Sequence, residues 1–257
     1  MKSLLNQPKS LKTRQVAIHF ISDLHLDPQQ PVVVEGFLSY LKTNAQKAEA
    51  LYILGDFFEA WIGDDFSNPF TRKIINSLRS LTEQGIPVFF MHGNRDFLIG
   101  NTFLEQTGCQ LLSDPAEIDL FGRKTLLMHG DTLCTDDVDY QNFRKTVRDP
   151  QWQSDFLGQS LEARLVIAQN LRAMSKEKTG QKKEQIMDVS ASAVVKIMTD
   201  HQVDLLIHGH THRPAVHQLK VAGKTAQRFV LGDWGDKGWH IVADQTSGIR
   251  LDSFPLK

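Results

Sequence analysis

Cysteine is nearly absent, with only Cys109 and Cys134 in 257 residues. Their spacing matches no zinc-binding pattern and two thiols make no disulfide framework, so a reducing compartment fits best. Long hydrophobic runs are absent too. No stretch approaches the roughly 18 apolar residues of a membrane span. An excess of either charge is missing, the net charge being -1, so the whole molecule offers no electrostatic case for nucleic acid. Met1 to Arg14 is polar and basic, with Leu4, Leu5 and Leu11 isolated. Without an apolar run or a cleavage-like site it is not a secretory signal. It reads as a tail, with a membrane-surface contact through Lys2, Lys9, Lys12 and Arg14 as the minority alternative. No internal repeat or low-complexity segment occurs.

What is present is enough apolar residue, 41%, for one large α/β domain with an insertion or for two small domains. Val16–Ile21, Leu51–Leu54, Pro87–Met91, Lys124–Met128 and Leu205–Ile207 read as buried strands. Pro31 to Lys42 reads as a helix. Asn68-Pro69 reads as the N-cap and first turn of another, running to about Gln84 and stopped by Gly85. Strands alternating with helices predict a layered α/β architecture with its site at the strand ends. After His212, the segments Ala215–Leu219, Gln227–Leu231, His240–Val242 and Gly248–Ser253 read as short strands of a second sheet.

Each of the first five strands runs into a motif rich in metal-ligating types. In order they are Asp23-Leu24-His25, Gly55-Asp56, Gly93-Asn94-Arg95-Asp96, His129-Gly130-Asp131 and His208-Gly209-His210-Thr211-His212. In extended backbone residues i and i+2 face the same way. Asp23 with His25, and His208 with His210, can then each reach one cation. One Asp-x-His is weak evidence, but five such motifs in series, each after an apolar strand, are strong. Carboxylate, imidazole and amide oxygen without thiolate suit Mn²⁺, Fe²⁺ or Zn²⁺. Two close cations need a bridging anion, and Asp56 is the best candidate. Of the remaining histidines, His212 reads as structural or orienting, while His19 and His92 read as interior. Asp96 and Asp131 read as orienters of ring N–H groups.

The interval 136–198 shows no clear strand. It reads as helices broken near Asp149-Pro150 and near Gly180. Between Arg144 and Lys183 it holds nine basic residues against four acidic ones. It is also oily, with Trp152, Phe156, Leu161, Ile167 and Leu171. This predicts a helical cap beside the site, against the bland alternative of an ordinary amphipathic insertion.

The five motifs and their extensions, such as Gly55-Asp56-Phe57-Phe58-Glu59-Ala60-Trp61 and His208-Gly209-His210-Thr211-His212-Arg213-Pro214, resemble the calcineurin-like metallophosphoesterases. Within them they are similar to the branch that hydrolyses UDP-2,3-diacylglucosamine in bacterial lipid A synthesis, a likeness covering nearly the whole chain. The resemblance implies an α/β fold, a β-sandwich flanked by helices. Its core would be 15–135 and 199–257, its inserted cap 136–198 and its tail 1–14. It implies two Mn²⁺ ions per chain. Asp23, His25 and His210 would hold one, Asn94, His129 and His208 the other, and Asp56 would bridge. It implies catalysis by Asp56, Asn94, Arg95 and His129 through water attack on the α-phosphorus. Substrate contacts are implied at Asn94, Arg95, Asp137, Ser175, Lys182 and His208, with Arg172 a plausible addition. Thr179 stands where asparagine is expected, which leaves Thr179 and the choice between Lys182 and Lys183 open. The implied partner is a lipid-linked nucleotide sugar, met peripherally at the cytoplasmic face of the inner membrane, with no obligate protein partner.

Arg95 refines the expected reaction. Many phosphomonoesterases of this superfamily carry His there to protonate an alkoxide. Arginine stays charged and cannot donate a proton at neutral pH, but it can grip phosphate bidentately. A phosphate leaving group, with a second pKa of about 6, hardly needs an acid. The residue therefore favours a pyrophosphate over a simple phosphoester. The other readings are a cyclic-nucleotide phosphodiesterase, and a non-catalytic scaffold, which would usually show eroded ligands.

Overall fold

The computed structural model describes residues 17–181 and 188–256, with backbone alone over 174–181. The basic tail, Lys182 and Lys183 lie outside the described residues. Two sheets form the body. The first contains β1 (Ala17–Ile21), β2 (Ala50–Leu54), β3 (Val88–Met91), β4 (Gln110–Leu112), β10 (Lys237–Asp244) and β11 (Gly248–Pro255), in the order β11-β10-β1-β2-β3-β4. The second contains β5 (Ala116–Leu120), β6 (Arg123–Met128), β7 (Leu205–His208), β8 (Ala215–Val221) and β9 (Lys224–Val230), in the order β5-β6-β7-β9-β8. Strands β1 to β4 run parallel, as do β6, β7 and β9. Five parallel strands thus deliver their motifs at their C-terminal ends, where an open α/β sheet places its site.

The alternation of each strand explains the layering. Ile18 and Phe20 of β1, and Ala50, Tyr52 and Leu54 of β2, meet Leu127, Leu205, Ile207 and Phe229 between the sheets. The intervening Ile21, Leu51 and Ile53 pack outward against α1 (Pro31–Thr43) and α2 (Pro69–Glu83). Strands buried on both faces read as continuous apolar runs, which is why they were visible in the sequence. The start of α2 follows the expected chemistry. Asn68 accepts a hydrogen bond from Thr71 N at 2.9 Å, and Thr71 Oγ1 accepts from Asn68 N at 3.0 Å. Among the described residues no helix is long and apolar enough to cross a membrane.

Some expectations change. Strands β10 and β11 join the first sheet, not the second, with β10 pairing antiparallel to β1 from Ala17 opposite Asp244 to Phe20 opposite Ile241. Three elements were not expected: β4, β5 and α3 (Asn101–Thr107). The interval 136–198 also divides. Helices α4 (Val138–Val147), α5 (Pro150–Leu157) and α6 (Leu161–Gln181) reach over the strand ends, and the described part of α6 ends at Gln181, beside Gly180. Helix α7 (Ala191–Asp200) instead buries Val194 and Met198 against Leu126, Met128 and Leu206 of the second sheet. It packs on the sandwich rather than over the strand ends.

Candidate metal centre

Two groups of side chains converge at the strand ends. Ligand atoms of Asp23, His25 and His212 lie within 4.8 Å of one another, as do those of Asp56, His129 and His210. Asp56 faces both: one carboxylate oxygen is 3.8 Å from His25 Nε2 and the other 3.7 Å from His129 Nε2. Asn94 Oδ1 lies 3.0 Å from His129 Nε2. The oxygen chemistry expected of Asp56 and Asn94 is therefore present.

The histidine assignment of the last motif needs correction. His212, read as structural, lies with Asp23 and His25; His210 lies with Asp56 and His129; His208 joins neither group. His208 still belongs to β7, fully buried, with Nδ1 2.8 Å from the carbonyl oxygen of Gly209. The extended-backbone argument failed because the chain leaves the strand. Residues 210 and 212 have φ of 69° and 55°. Asp23, His25 and Asp56 share this left-handed conformation, with φ of 56°, 47° and 49°, a strained region that recurs at functional sites. The sequence carries a pattern that matches this grouping. Ser22 precedes Asp23, Gly55 precedes Asp56, Gly93 precedes Asn94 and Gly209 precedes His210. By that pattern the motif's ligands begin at His210.

Glycine is required where these loops touch. A Cβ on Gly93 would stand 2.1 Å from Asp56 N, and one on Gly209 2.2 Å from Asp23 Oδ2. Asp96 does not orient a histidine ring as expected. It is wholly buried and clamps backbone, accepting from Gly93 N at 2.8 Å and from Phe57 N at 2.7 Å. It thereby locks the Asp56 and Asn94 loops together. Burial, then the charge of Asp56, raise its pKa to about 6. Asp131 accepts from Tyr140 Oη at 2.6 Å and pairs with Arg144 at 2.7 Å.

The residues fit divalent cations. His129 Nδ1 must donate to the carbonyl of Leu54, 2.9 Å away, which leaves the Nε2 lone pair facing Asp56 and Asn94. The Nε2 atoms of His25 and His212 face each other at 3.1 Å, while their Nδ1 atoms lie 2.8 Å from Glu59 and 3.8 Å from Asp233. Two ring nitrogens held that close need a hydrogen between them or a shared cation. Protons are the stand-in. Burial opposes charge on His129, yet Asp56, Asp131 and Asp23 raise it to about 9. Burial likewise opposes charge on Asp23, but His212, His129 and His25 hold it well below the usual carboxylate range.

A pocket of about 210 Å³ opens beside this centre. Asn94, Arg95, Asp137 and Arg172 line its polar end, and Trp61, Phe97, Trp152, Phe156 and Leu171 its apolar wall. Arg95 is half-buried with its Nε unpartnered. Three of the cap's arginines are engaged by protein groups. Arg164, 2% exposed, pairs with Asp65 and donates to the carbonyl of Ile62 at 2.7 Å. Arg148 donates to Gly93 O at 2.8 Å and stacks 4.9 Å from the Phe97 ring. Arg172 pairs with Glu59. These arginines staple the cap to the sandwich. Ser175 and Thr179 fall on α6 where backbone alone is described.

The calcineurin-like phosphoesterase family matches residues 16–214. A UDP-2,3-diacylglucosamine hydrolase from Cellvibrio japonicus (strain Ueda107) is 49% identical over 237 residues, covering 92% of this chain and 98% of that protein. Those of Azotobacter vinelandii (strain DJ / ATCC BAA-1303) and Salmonella arizonae (strain ATCC BAA-731 / CDC346-86 / RSK2980) are each 51% identical, covering 92% and 94% of this chain and 98% and 100% of their own. With the family matching well over half of its length and these relatives covering nearly all of it, the chain belongs to the calcineurin-like phosphoesterases.

Proposed function

We propose that this chain hydrolyses the pyrophosphate bond of UDP-2,3-diacylglucosamine by water attack on the α-phosphorus, giving UMP and 2,3-diacylglucosamine 1-phosphate in lipid A synthesis. The observation that carries the reading is the junction of two chemistries: a paired ligand centre opens through Asn94 and Arg95 into an apolar pocket. The relatives at about half identity, named for this substrate, support it. Two cations, which we assign as Mn²⁺, would be held by Asp23, His25 and His212 and by Asn94, His129 and His210, with Asp56 between. When bound, they supply Lewis-acid stabilisation of the phosphoryl charge.

The protein's own residues do the rest. Asp56 and Asp96 fix the loops that present the ligands. Arg95 lines the polar end of the pocket, where its guanidinium can grip a pyrophosphate oxygen. No general acid is needed, because the departing group is already a stable phosphate. The apolar wall receives the acyl chains and excludes water, each buried methylene favouring binding by about 0.8 kcal/mol. Asp137 lines the same pocket, and Ser175, Thr179 and Lys182 belong to the cap segment that follows Arg172. We place the enzyme peripherally at the cytoplasmic face of the inner membrane. A lipid substrate and exposed Val138, Phe143, Leu157 and Val166 on the cap support that placement.

The test is turnover of UDP-2,3-diacylglucosamine by Mn²⁺-loaded protein in H₂¹⁸O. UMP carrying ¹⁸O is the expected result. Label in the sugar phosphate would overturn α-attack, and turnover of only cyclic nucleotides or simple phosphoesters would overturn the substrate.

A further inference from the structure

We infer that Glu59 is a positioning residue that ties a metal ligand to the cap, so that cap position and metal affinity are coupled. This rests on the metal centre proposed above. Glu59 follows Asp56 by three residues, in a loop stitched to the Asp23 loop by Glu59 N donating to Leu26 O at 3.2 Å. Its two carboxylate oxygens serve different parts of the molecule. Oε2 lies 2.8 Å from His25 Nδ1, at ion-pair distance though off the hydrogen-bond line. Oε1 accepts from Arg172 Nη2, 113 residues further along the chain and on α6.

The consequence follows from how a ligating imidazole is held. Its metal-facing nitrogen is aimed by whatever binds the other nitrogen, and losing that outer partner typically costs about 10- to 100-fold in metal affinity. His25 has Glu59 in that role. A glutamate side chain is itself free to rotate, and here Arg172 pins it. His25, Glu59 and Arg172 therefore form one chain of contacts from ligand to helix. Arg172 also lines both the substrate pocket and a second cavity behind it, lined by Phe58, Phe66, Phe70 and Leu165. The guanidinium that pins Glu59 thus stands where α6 meets bound lipid. A displacement that pulls Arg172 from Glu59 loosens the aim of His25, and by linkage metal binding favours the position of α6 in which Arg172 holds Glu59. Arg164 supplies the contrast: it staples the same helix to Asp65, which touches no ligand.

The experiment is Mn²⁺ titration of the full chain, read by the electron paramagnetic resonance of free Mn²⁺, with hydrogen exchange of residues 161–173. Wild-type protein binding two Mn²⁺, with slower exchange in that segment when loaded, is expected. Glu59→Gln and Arg172→Ala should each weaken one of the two sites by about tenfold, and Glu59→Gln should abolish the metal-dependent slowing of exchange. Arg164→Ala should leave both affinities within about twofold of wild type. Arg172 is partly exposed, so its variant keeps the test valid should Glu59 variants misfold. Wild-type affinities in both Glu59→Gln and Arg172→Ala would overturn the inference. So would equal losses in Arg164→Ala and Arg172→Ala, which would indicate general loosening of the cap. Failure of wild-type protein to bind Mn²⁺ would instead overturn the metal centre itself.

Discussion

Replacing Gly93 by alanine tests whether the loops are spaced by backbone contact. The added Cβ would stand 2.1 Å from Asp56 N and 2.2 Å from Asp56 Oδ1, whereas real Cβ atoms essentially never come closer than 3.0 Å. Asp56 must therefore retreat by about 0.9 Å or more. It cannot swing freely, because Arg95 N donates to its Oδ1 at 2.8 Å and Asp96 clamps Phe57 next door. Overpacking of this kind costs about 1–3 kcal/mol of stability, which lowers the melting temperature by about 4–8 °C at the middle of that range. A shift near 1 Å in a catalytic group can cost roughly 100-fold in rate, about 2.7 kcal/mol of transition-state stabilisation. The assay is bound Mn²⁺ per chain after gel filtration, together with kcat and the melting temperature. Gly223→Ala is the control. Its φ of 79° strains an alanine, but no atom lies within 4 Å of the new Cβ. It should lose about 1 kcal/mol of stability and no metal. A Gly93→Ala protein with wild-type metal content and kcat within threefold would refute the reasoning.

Three other outcomes follow from the geometry. His212→Ala should lose bound metal, while His208→Ala should lower the melting temperature and keep its metal; the reverse pattern in metal analysis would restore the extended-backbone assignment. Arg164→Ala leaves the carbonyl of Ile62 without its buried donor, so about 1–3 kcal/mol should be lost, read as faster proteolytic cleavage within the cap at unchanged Mn²⁺ affinity. His19 and His240, hydrogen-bonded to Tyr40 Oη at 2.8 and 3.2 Å, are both lowered to about 4, burial being the largest cause. Being neutral when folded, they cost nothing above pH 6.5. They destabilise progressively as pH falls from 6.5 towards 4, by about 2 kcal/mol each at pH 5. His240→Phe should flatten the loss of urea midpoint between pH 7 and 5, and parallel slopes would count against the assignment.

The parts of this molecule that the sequence revealed are those governed by local pattern. The five parallel strands showed as apolar runs because both faces are buried, and Asn68 announced α2 because its cap is made within four residues. The missed elements lack such signals. Strand β4 is three residues with Gln110 and Leu111 exposed, and β5, Ala-Glu-Ile-Asp-Leu, alternates with charge at an edge. Helix α3 is capped from afar, Asp64 accepting from Gly100 N and Phe103 N at 3.0 Å each. The grouping of candidate ligands was legible up to the backbone conformation that follows β7, where left-handed residues bring His210 and His212, rather than His208 and His210, into the two groups. Cap charge was legible as composition but not as pairing, since Asp65 and Glu59 are remote in sequence from the arginines they bind.

The placement of β10 beside β1 has a consequence for the growing polypeptide. The strand that leads to Asp23 and His25 is made more than two hundred residues before its antiparallel neighbour, 237–244. Trp234 N also donates to Asp23 O at 3.0 Å. During synthesis one edge of β1 therefore waits unpaired while more than two hundred residues emerge. Long-range pairing of this sort is slow, and an open apolar edge invites misassociation. The backbone contact from Trp234 that holds the Asp23 loop is made only when this later segment arrives.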